Sequence, residues 1–228
     1  MENIKITQIK DGIHIEGYPN AVKFISIQDG KAQRAKMVKR LSDLWSHKID
    51  LDLAAASLEA INLLPEDKQI VRQSLWRSSI IHFTKCFGKS KGRFNLSAEK
   101  IWKDEEERDL ILKIYKYFSN LRNKHIVHDE NSYAQCKTGA VLNKGDKDYK
   151  IEKIITVSFI AETLSQDNYN SLFNLIITAK DWIAKEYNEI CEKLTKELEQ
   201  ESYETLFSYN SMEYKVPEIN DIDKTRNS

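Results

Sequence analysis

A long stretch near the C-terminus carries an uninterrupted helical pattern of apolar residues. It runs from about Ser165 or Asp167 to Leu198. Its apolar positions recur at helical spacing: Leu172, Leu175, Ile176, Ala179, Trp182, Ile183, Tyr187, Ile190 and Leu194. At a rise of about 1.5 Å per residue, such a helix spans a whole small domain. This feature predicts a mainly α fold.

The composition agrees with a helical globular protein. The 228 residues include only 7 glycines and 3 prolines, the two residue types that most strongly interrupt helices. Lysine plus arginine total 35 and aspartate plus glutamate total 35, so the net charge is zero. Any nucleic-acid site therefore has to be a local patch, because no global charge attracts a polyanion.

Three further observations concern the cellular setting. No apolar run is long enough for a membrane span, and the N-terminal residues lack the pattern of a secretory signal. The three cysteines, Cys86, Cys136 and Cys191, are far apart in the sequence. A sparse, odd set is typical of reduced thiols. We expect a cytoplasmic protein with no membrane association.

Apolar periodicity predicts further helices. One begins at about Lys31, a second covers Asp50–Leu64, and a third runs from Pro65, a typical helix-start residue, to Cys86. A fourth follows the acidic run Asp104–Glu107, whose charges suit a helix N-terminus, and ends at about His125. A short helical turn is predicted between 202 and 209.

Two β elements interrupt the helices. Asp11-Gly12 lies between alternating isoleucines, which is a strong hairpin signal, and Val22–Ile27 is expected to add a short strand. A second hairpin is predicted at about 138–159. We therefore predict an N-terminal β element at 1–30, a helical domain at 31–209 with an inserted hairpin, and a flexible tail at 210–228.

The residue types best suited to catalysis or ligand binding are concentrated at the end of the fourth helix. The segment 121–130 reads Leu-Arg-Asn-Lys-His-Ile-Val-His-Asp-Glu and so concentrates cations, an amide, two imidazoles and two carboxylates. Lysine and histidine in a last turn also complement the helix dipole, so a capping role is one interpretation. The other interpretation is a reactive site.

Arg122-Asn123, four further residues and then His128 resemble the Arg-x4–6-His motif of the HEPN superfamily. The resemblance covers roughly residues 31–199 and is closest to bacterial HEPN proteins of abortive-infection and toxin systems. It implies an antiparallel helical bundle in which this motif lies near the end of a long helix. The two β-hairpins would be additions to that core.

The resemblance also implies an activity: metal-independent RNA cleavage that leaves a 2′,3′-cyclic phosphate. His128 would serve as general acid or base, because a histidine ordinarily titrates near neutrality. Arg122 would bind the charged phosphorane, and Asn123 would orient Arg122, His128 or the phosphate. Lys124 and His125 are expected to contact the substrate phosphates.

The spacing of the two principal residues favours a homodimer. On a continuous α-helix, Arg122 and His128 would differ by about 120° around the axis and about 9 Å along it. One copy then holds both groups poorly on a single phosphate, whereas two copies facing each other across a two-fold axis would complete the site. HEPN nucleases resemble this arrangement. We expect the interface to include the end of the fourth helix.

Other residues are secondary candidates. Arg77, His82 and Lys85 on the third helix are predicted to line the same cleft and contact substrate. His125 and His128, followed by Asp129 and Glu130, could instead hold zinc. Because no second ligand pair is visible in the sequence, we expect neither a metal nor a cofactor.

Two functions follow from these observations. The first is a HEPN-type endoribonuclease in phage defence or a toxin–antitoxin system, with RNA as its substrate and an antitoxin or defence protein as its partner. The alternative is a non-enzymatic HEPN-like helical module that uses the same polar residues to bind a partner protein or a nucleotide. Two motifs converging in an open basic cleft would favour the nuclease, whereas burial of Arg122 and His128 in internal ion pairs would favour the binding module.

Overall fold

A computed structural model describes residues 6–9, 12–28, 32–128, 130–213 and 216–224. Helix accounts for 55% of the structure and strand for 12%, which confirms the mainly α prediction. The helices are α1 (Ala32–Asn62), α2 (Gln69–Lys85), α3 (Ala98–Ile101), α4 (Arg108–Leu121), α5 (Gln166–Leu198) and α6 (Tyr203–Ser208). A π-helical turn, Arg122–Ile126, continues α4, and a 3-10 turn covers Ile219–Asp221. Within the described ranges, no helix is both long and apolar enough to cross a membrane.

Both predicted hairpins form. Strand β1 (Ile6–Ile9) pairs antiparallel with β2 (Gly12–Ile15), although Asp11 of the predicted turn lies outside the described residues. Strand β3 (Ala134–Leu142) pairs antiparallel with β4 (Ile151–Ile160). The strand predicted at Val22–Ile27 is wrong, because Ile25 forms only an isolated bridge to Ser211.

The residues around that bridge connect the segment 24–26 to the start of the predicted flexible tail, 210–228. The N–H of Ser26 donates to the carbonyl of Asn210 at 2.7 Å, and the N–H of Met212 donates to the carbonyl of Phe24 at 2.8 Å. The beginning of the segment 210–228 is therefore held by backbone hydrogen bonds.

The separation of α1 into two helices is wrong, and its cause lies in the polar residues at the expected break. Ring Nε2 of His47 lies 2.8 Å from the carbonyl oxygen of Phe94. The carboxylate of Asp50 receives hydrogen bonds from His82 and Lys85. Since tertiary partners satisfy these polar groups, the helix continues through them.

Helix α2 begins four residues later than Pro65 predicts. The residues from Pro65 to Lys68 form a turn, in which the N–H of Lys68 donates to the Pro65 carbonyl at 3.1 Å. Arg72 then donates from Nη1 to the carbonyls of Ile61 and Leu64 at 2.7 and 3.0 Å. These bonds link the end of α1 and the segment after it to the first turn of α2.

The chain groups into two compact units, each built from separate parts of the sequence. The first takes its residues from 1–49, 88–96 and 179–228, and the second from 50–87 and 97–178. The predicted boundaries at 30 and 209 do not coincide with these units.

The first unit contains a buried arginine. Arg34, 3% exposed, donates from Nε to Glu197 at 3.0 Å and from Nη1 to the hydroxyl of Tyr209 at 3.1 Å, and Nη2 pairs with Glu201. Hydrogen bonds to Glu201 and Tyr209 raise the pKa of Arg34 above its ordinary value. This cluster connects α1 with the C-terminal part of α5 and the residues after it.

The second unit has an aromatic core. Trp76 contacts Phe118 with ring centroids 6.0 Å apart, and Phe83 contacts Tyr115 at 6.3 Å. Phe83 follows Trp76 in α2, whereas its contact Tyr115 precedes Phe118 in α4. The two helices are therefore antiparallel. The indole N–H of Trp76 donates to the Thr163 hydroxyl at 3.0 Å, which satisfies a buried polar group.

Candidate functional site

The buried face of α4 ends immediately before the motif. Phe118 is 0% exposed and Leu121 is 3% exposed. Tyr115 lies in an aromatic cluster with Phe83, Phe87 and Trp102, and its burial raises its pKa. These rings pack against one another in the core of the second unit. They fix the end of α4, so Arg122 begins where the packed face stops.

The motif itself forms the π turn. The N–H of Val127 donates to the carbonyl of Arg122, five residues earlier, at 3.0 Å. The N–H of Glu130 donates to the carbonyl of Lys124 at 2.9 Å and closes the backbone behind the turn. A π turn at the end of an α-helix is rare and is often found at functional sites. The prediction of a regular helix to about His125 is therefore corrected over its last residues.

The π turn directs the motif side chains to two sides. His125 is buried at 9% exposure and lies edge-on to Tyr133, with centroids 5.6 Å apart. Lys124 is exposed, and so is His128 two residues beyond the turn. His125 follows buried Leu121 by four residues and so continues its face. In this position its ring has little surface for the predicted contact with a substrate.

Arg122 and Asn123 are joined directly. Nη1 of Arg122 donates to Oδ1 of Asn123 at 2.6 Å. Arg122 is half-buried and Asn123 is exposed. No carboxylate among the described residues pairs with Arg122. A guanidinium has five N–H donors, so this bond orients the group while leaving donors for an anion.

The first α2 candidate, Arg77, belongs to the same part of the second unit as the motif. Helix α2 packs against both α4 and the π turn. Since α2 and α4 are antiparallel and Trp76 lies beside Phe118, the N-terminal half of α2 is the part nearest the motif. Arg77 is exposed there, and within the described ranges it has no ion-pair partner. It remains a candidate for substrate contact.

The other two α2 candidates, His82 and Lys85, are held elsewhere. Nδ1 of His82 lies 3.2 Å from Oδ1 of Asp50, and Nζ of Lys85 lies 3.0 Å from the same oxygen. The neighbouring Phe83 contacts Tyr115, which precedes Arg122 by about two helical turns. His82 and Lys85 are three residues apart and so lie on the same face of α2. Both therefore contact one buried carboxylate and not the motif.

Asp50 is the polar residue that the sequence interpretation missed. Its side chain is 6% exposed and accepts bonds from both His82 and Lys85. The available signal was an acidic residue inside an apolar helical pattern, which indicates a buried charge with partners. The apolar periodicity instead predicts a helix start at Asp50.

A surface groove of about 400 Å³ also lies in the second unit. Its lining combines residues of α4 and of the segment before it, two glutamates among them, with residues of α5: Trp102, Glu105, Glu107, Leu110, Ile111, Ile114, Ser171, Asn174, Leu175 and Thr178. None of the motif residues lines it. It offers no cation for a phosphate, so we do not assign it to the candidate reaction.

The zinc alternative involves His125, His128, Asp129 and Glu130. Within the described ranges, no group of three or more histidine, cysteine, aspartate or glutamate side chains is arranged to hold a metal ion. Asp129, one of the four residues considered for zinc, lies outside those ranges. Glu130 is exposed, and His125 lies inward against Tyr133.

No family model, no curated protein and no solved structure matches this chain. The candidate site therefore stands on the motif residues and on their geometry.

Proposed function

We propose that this chain is a metal-independent endoribonuclease of HEPN type. The proposal is supported by the hydrogen-bond partners and the exposure of the two principal residues, Arg122 and His128. Arg122 is bonded to Asn123 and is not paired with a carboxylate of the described residues, and His128 is exposed. If the motif served only to stabilise the fold of a binding module, these side chains would form ion pairs with other residues of the chain.

The reaction is a transfer within the RNA chain. His128 removes the proton from a ribose 2′-hydroxyl, whose oxygen attacks the adjacent phosphorus. The bond from phosphorus to the 5′-oxygen then breaks, and a protonated histidine gives that oxygen its proton. The products are a 2′,3′-cyclic phosphate and a free 5′-hydroxyl. Arg122 stabilises the additional negative charge of the phosphorane.

The assembly in this proposal is a homodimer. Two copies would place two Arg122–His128 pairs around one RNA strand, so that one histidine acts as base and the other as acid. Lys124 and Arg77, both exposed, would hold the neighbouring phosphates. Phage defence or a toxin–antitoxin system, with an antitoxin or defence protein as partner, is the biological setting that we propose.

The test is RNA cleavage by the purified chain in the presence of EDTA. We expect Arg122→Ala and His128→Ala each to lower the rate by about 10²–10⁴-fold. Both side chains lie outside the buried face of α4, so the variants should keep the wild-type circular dichroism spectrum. Exposed His14 and half-buried Arg108 provide matched controls as His14→Ala and Arg108→Ala.

The end groups of the products identify the chemistry. A 2′,3′-cyclic phosphate is expected, and it is recognised because a phosphomonoesterase cannot remove it until dilute acid has opened it to a 2′- or 3′-phosphate. Equal cleavage by wild type and by an Arg122→Ala, His128→Ala double variant would assign the activity to a contaminant or to other residues. No cleavage under any condition would leave the binding module as the better account.

A further inference from the structure

The hairpin of β3 and β4 has two faces of different composition. Residues that pair across an antiparallel ribbon share a face, and so do alternate residues of one strand. One face, which we call the apolar face, consists of four register pairs: Gln135 with Phe159, Lys137 with Val157, Gly139 with Ile155, and Val141 with Lys153. The centre of the opposite face is small and polar, because Cys136 pairs there with Ser158 and Thr138 with Thr156.

The apolar face is uncovered in the isolated chain. Four large apolar side chains form a stripe along it and are 40–58% exposed: Val141, Ile155, Val157 and Phe159. Two exposed cations of the same face, Lys137 and Lys153, have no ion-pair partner among the described residues. A two-stranded ribbon alone is at best marginally stable in water. The face therefore calls for a partner surface that is apolar and negatively charged.

The groove beside α4 has this complementary character. Its lining includes apolar residues of α4, among them Leu110 and Ile114, and the carboxylates of Glu105 and Glu107. Both glutamates are exposed, and no cation in the described part of the chain pairs with either of them. The lining residues all belong to 102–114 and 171–178, so the hairpin of the same chain is not part of the groove.

We propose that the apolar face of each hairpin binds the groove of a second copy of this chain. The exchange is reciprocal, so two identical contacts form around a two-fold axis and the assembly closes as a dimer. Lys137 and Lys153 then lie opposite the groove carboxylates, and the apolar stripe leaves water. The charges favour this occupant over a polyanion such as RNA, because Glu105 and Glu107 would repel phosphates.

The dimensions of the elements allow this exchange in a dimer whose motifs face each other. The ten residues of β4 span about 33 Å, whereas the 14 residues of α4 span about 21 Å. The hairpin begins soon after His128, at the motif end of α4. It is therefore long enough to run along the partner's α4 from the motif to the groove at the other end. The inference shares the homodimer of the proposed function, but it requires neither RNA nor cleavage.

Charge reversal on the two surfaces tests the proposal. The hairpin variant carries Lys137→Glu and Lys153→Glu, and the groove variant carries Glu105→Lys and Glu107→Lys. Either variant alone places like charges together in both contacts, so we expect each to weaken the dimer at least about tenfold. An equimolar mixture should dimerise again. In the mixed dimer one contact is the original, and the other has its charges exchanged.

Two controls accompany these variants. Phe159 and Ile160 are adjacent residues, 58% and 67% exposed, that lie on opposite faces of the ribbon. Phe159→Ser should weaken the dimer, whereas Ile160→Ser should leave it unchanged. Lys36 and Lys89 are exposed residues of the first unit. Lys36→Glu with Lys89→Glu changes the net charge as the hairpin variant does and should leave the dimer intact.

Sedimentation velocity without RNA, at about 1–100 µM, supplies the measurement, with circular dichroism to confirm that each variant is folded. A wild-type chain that stays monomeric throughout this range would overturn the proposal. Undiminished association of either charge variant would do the same, as would equal weakening by Phe159→Ser and Ile160→Ser. A mixture of the two charge variants that stays monomeric would show that the hairpin and the groove do not bind each other.

Discussion

Replacing Asn123 by alanine tests how the motif positions its arginine. The change removes the 2.6 Å hydrogen bond from Nη1 of Arg122 and leaves the guanidinium without that restraint. A hydrogen bond to a charged group is worth about 1.5–3 kcal/mol, and the exposure of Asn123 favours the lower end of that range. At about 1.4 kcal/mol per factor of ten, cleavage should slow by about tenfold.

The assay is single-turnover cleavage of a short RNA, which separates the chemical step from binding. We expect the rate constant to fall and the apparent affinity for RNA to change little, because Asn123 acts through Arg122. The shape of the pH–rate profile should stay that of wild type, since the acid–base groups are retained. Because Asn123 is exposed, the melting temperature should also be unchanged.

Asn120 provides the control for this experiment. It is an exposed asparagine on α4, and it has no hydrogen-bond partner for its side chain among the described residues. Asn120→Ala should therefore cleave RNA at the wild-type rate. If Asn123→Ala matches Asn120→Ala, the hydrogen bond does not contribute to the reaction and the positioning role is refuted.

Two further predictions concern stability. Arg34→Met leaves the carboxylates of Glu197 and Glu201 without their cation, and since these are 27% and 22% exposed, unfolding should become easier by about 2–3 kcal/mol. A melting temperature lowered by about 4–12 °C in calorimetry would agree with this expectation. An unchanged melting temperature would contradict a stabilising role of the ion pairs of Arg34. The pKa of Glu99 is lowered by its backbone N–H and by the Ser97 hydroxyl, so its ionised form stabilises the fold above the unfolded-state pKa and this contribution is lost as the pH falls through the lowered value. Glu99→Gln should therefore cost a few tenths of a kcal/mol at pH 7 and nothing at strongly acidic pH, and a cost that persists in acid would exclude this explanation.

The element pattern was largely predictable because it depends on local periodicity. The apolar repeat of α5 sets its length, and Ser165 accepts a bond from the N–H of Asn168 at its first turn. The hairpin β3–β4 follows from alternating strand residues on either side of a glycine turn, in which Gly145 has a positive φ of 83°. These features require only neighbours within a few residues, so a single sequence contains the information.

The errors arose where distant residues decide the outcome. The sequence around Asp50 contains a plausible break between two helices, but His82 and Lys85 supply partners that allow one helix to continue. Pro65 is a typical helix start, yet the bonds from Arg72 to the preceding carbonyls favour a turn there. Each case depends on hydrogen bonds between residues that are far apart in the sequence or in different elements.

The candidate site divides in the same way. The residue types Arg122, Asn123 and His128, and their place at the end of an amphipathic helix, could be found from the sequence alone. Only the tertiary structure decides that the helix widens into a π turn and that His125 lies inward against Tyr133. The physical reason is that a backbone hydrogen bond can shift from four residues to five when packing favours it, and packing is not written in the local sequence.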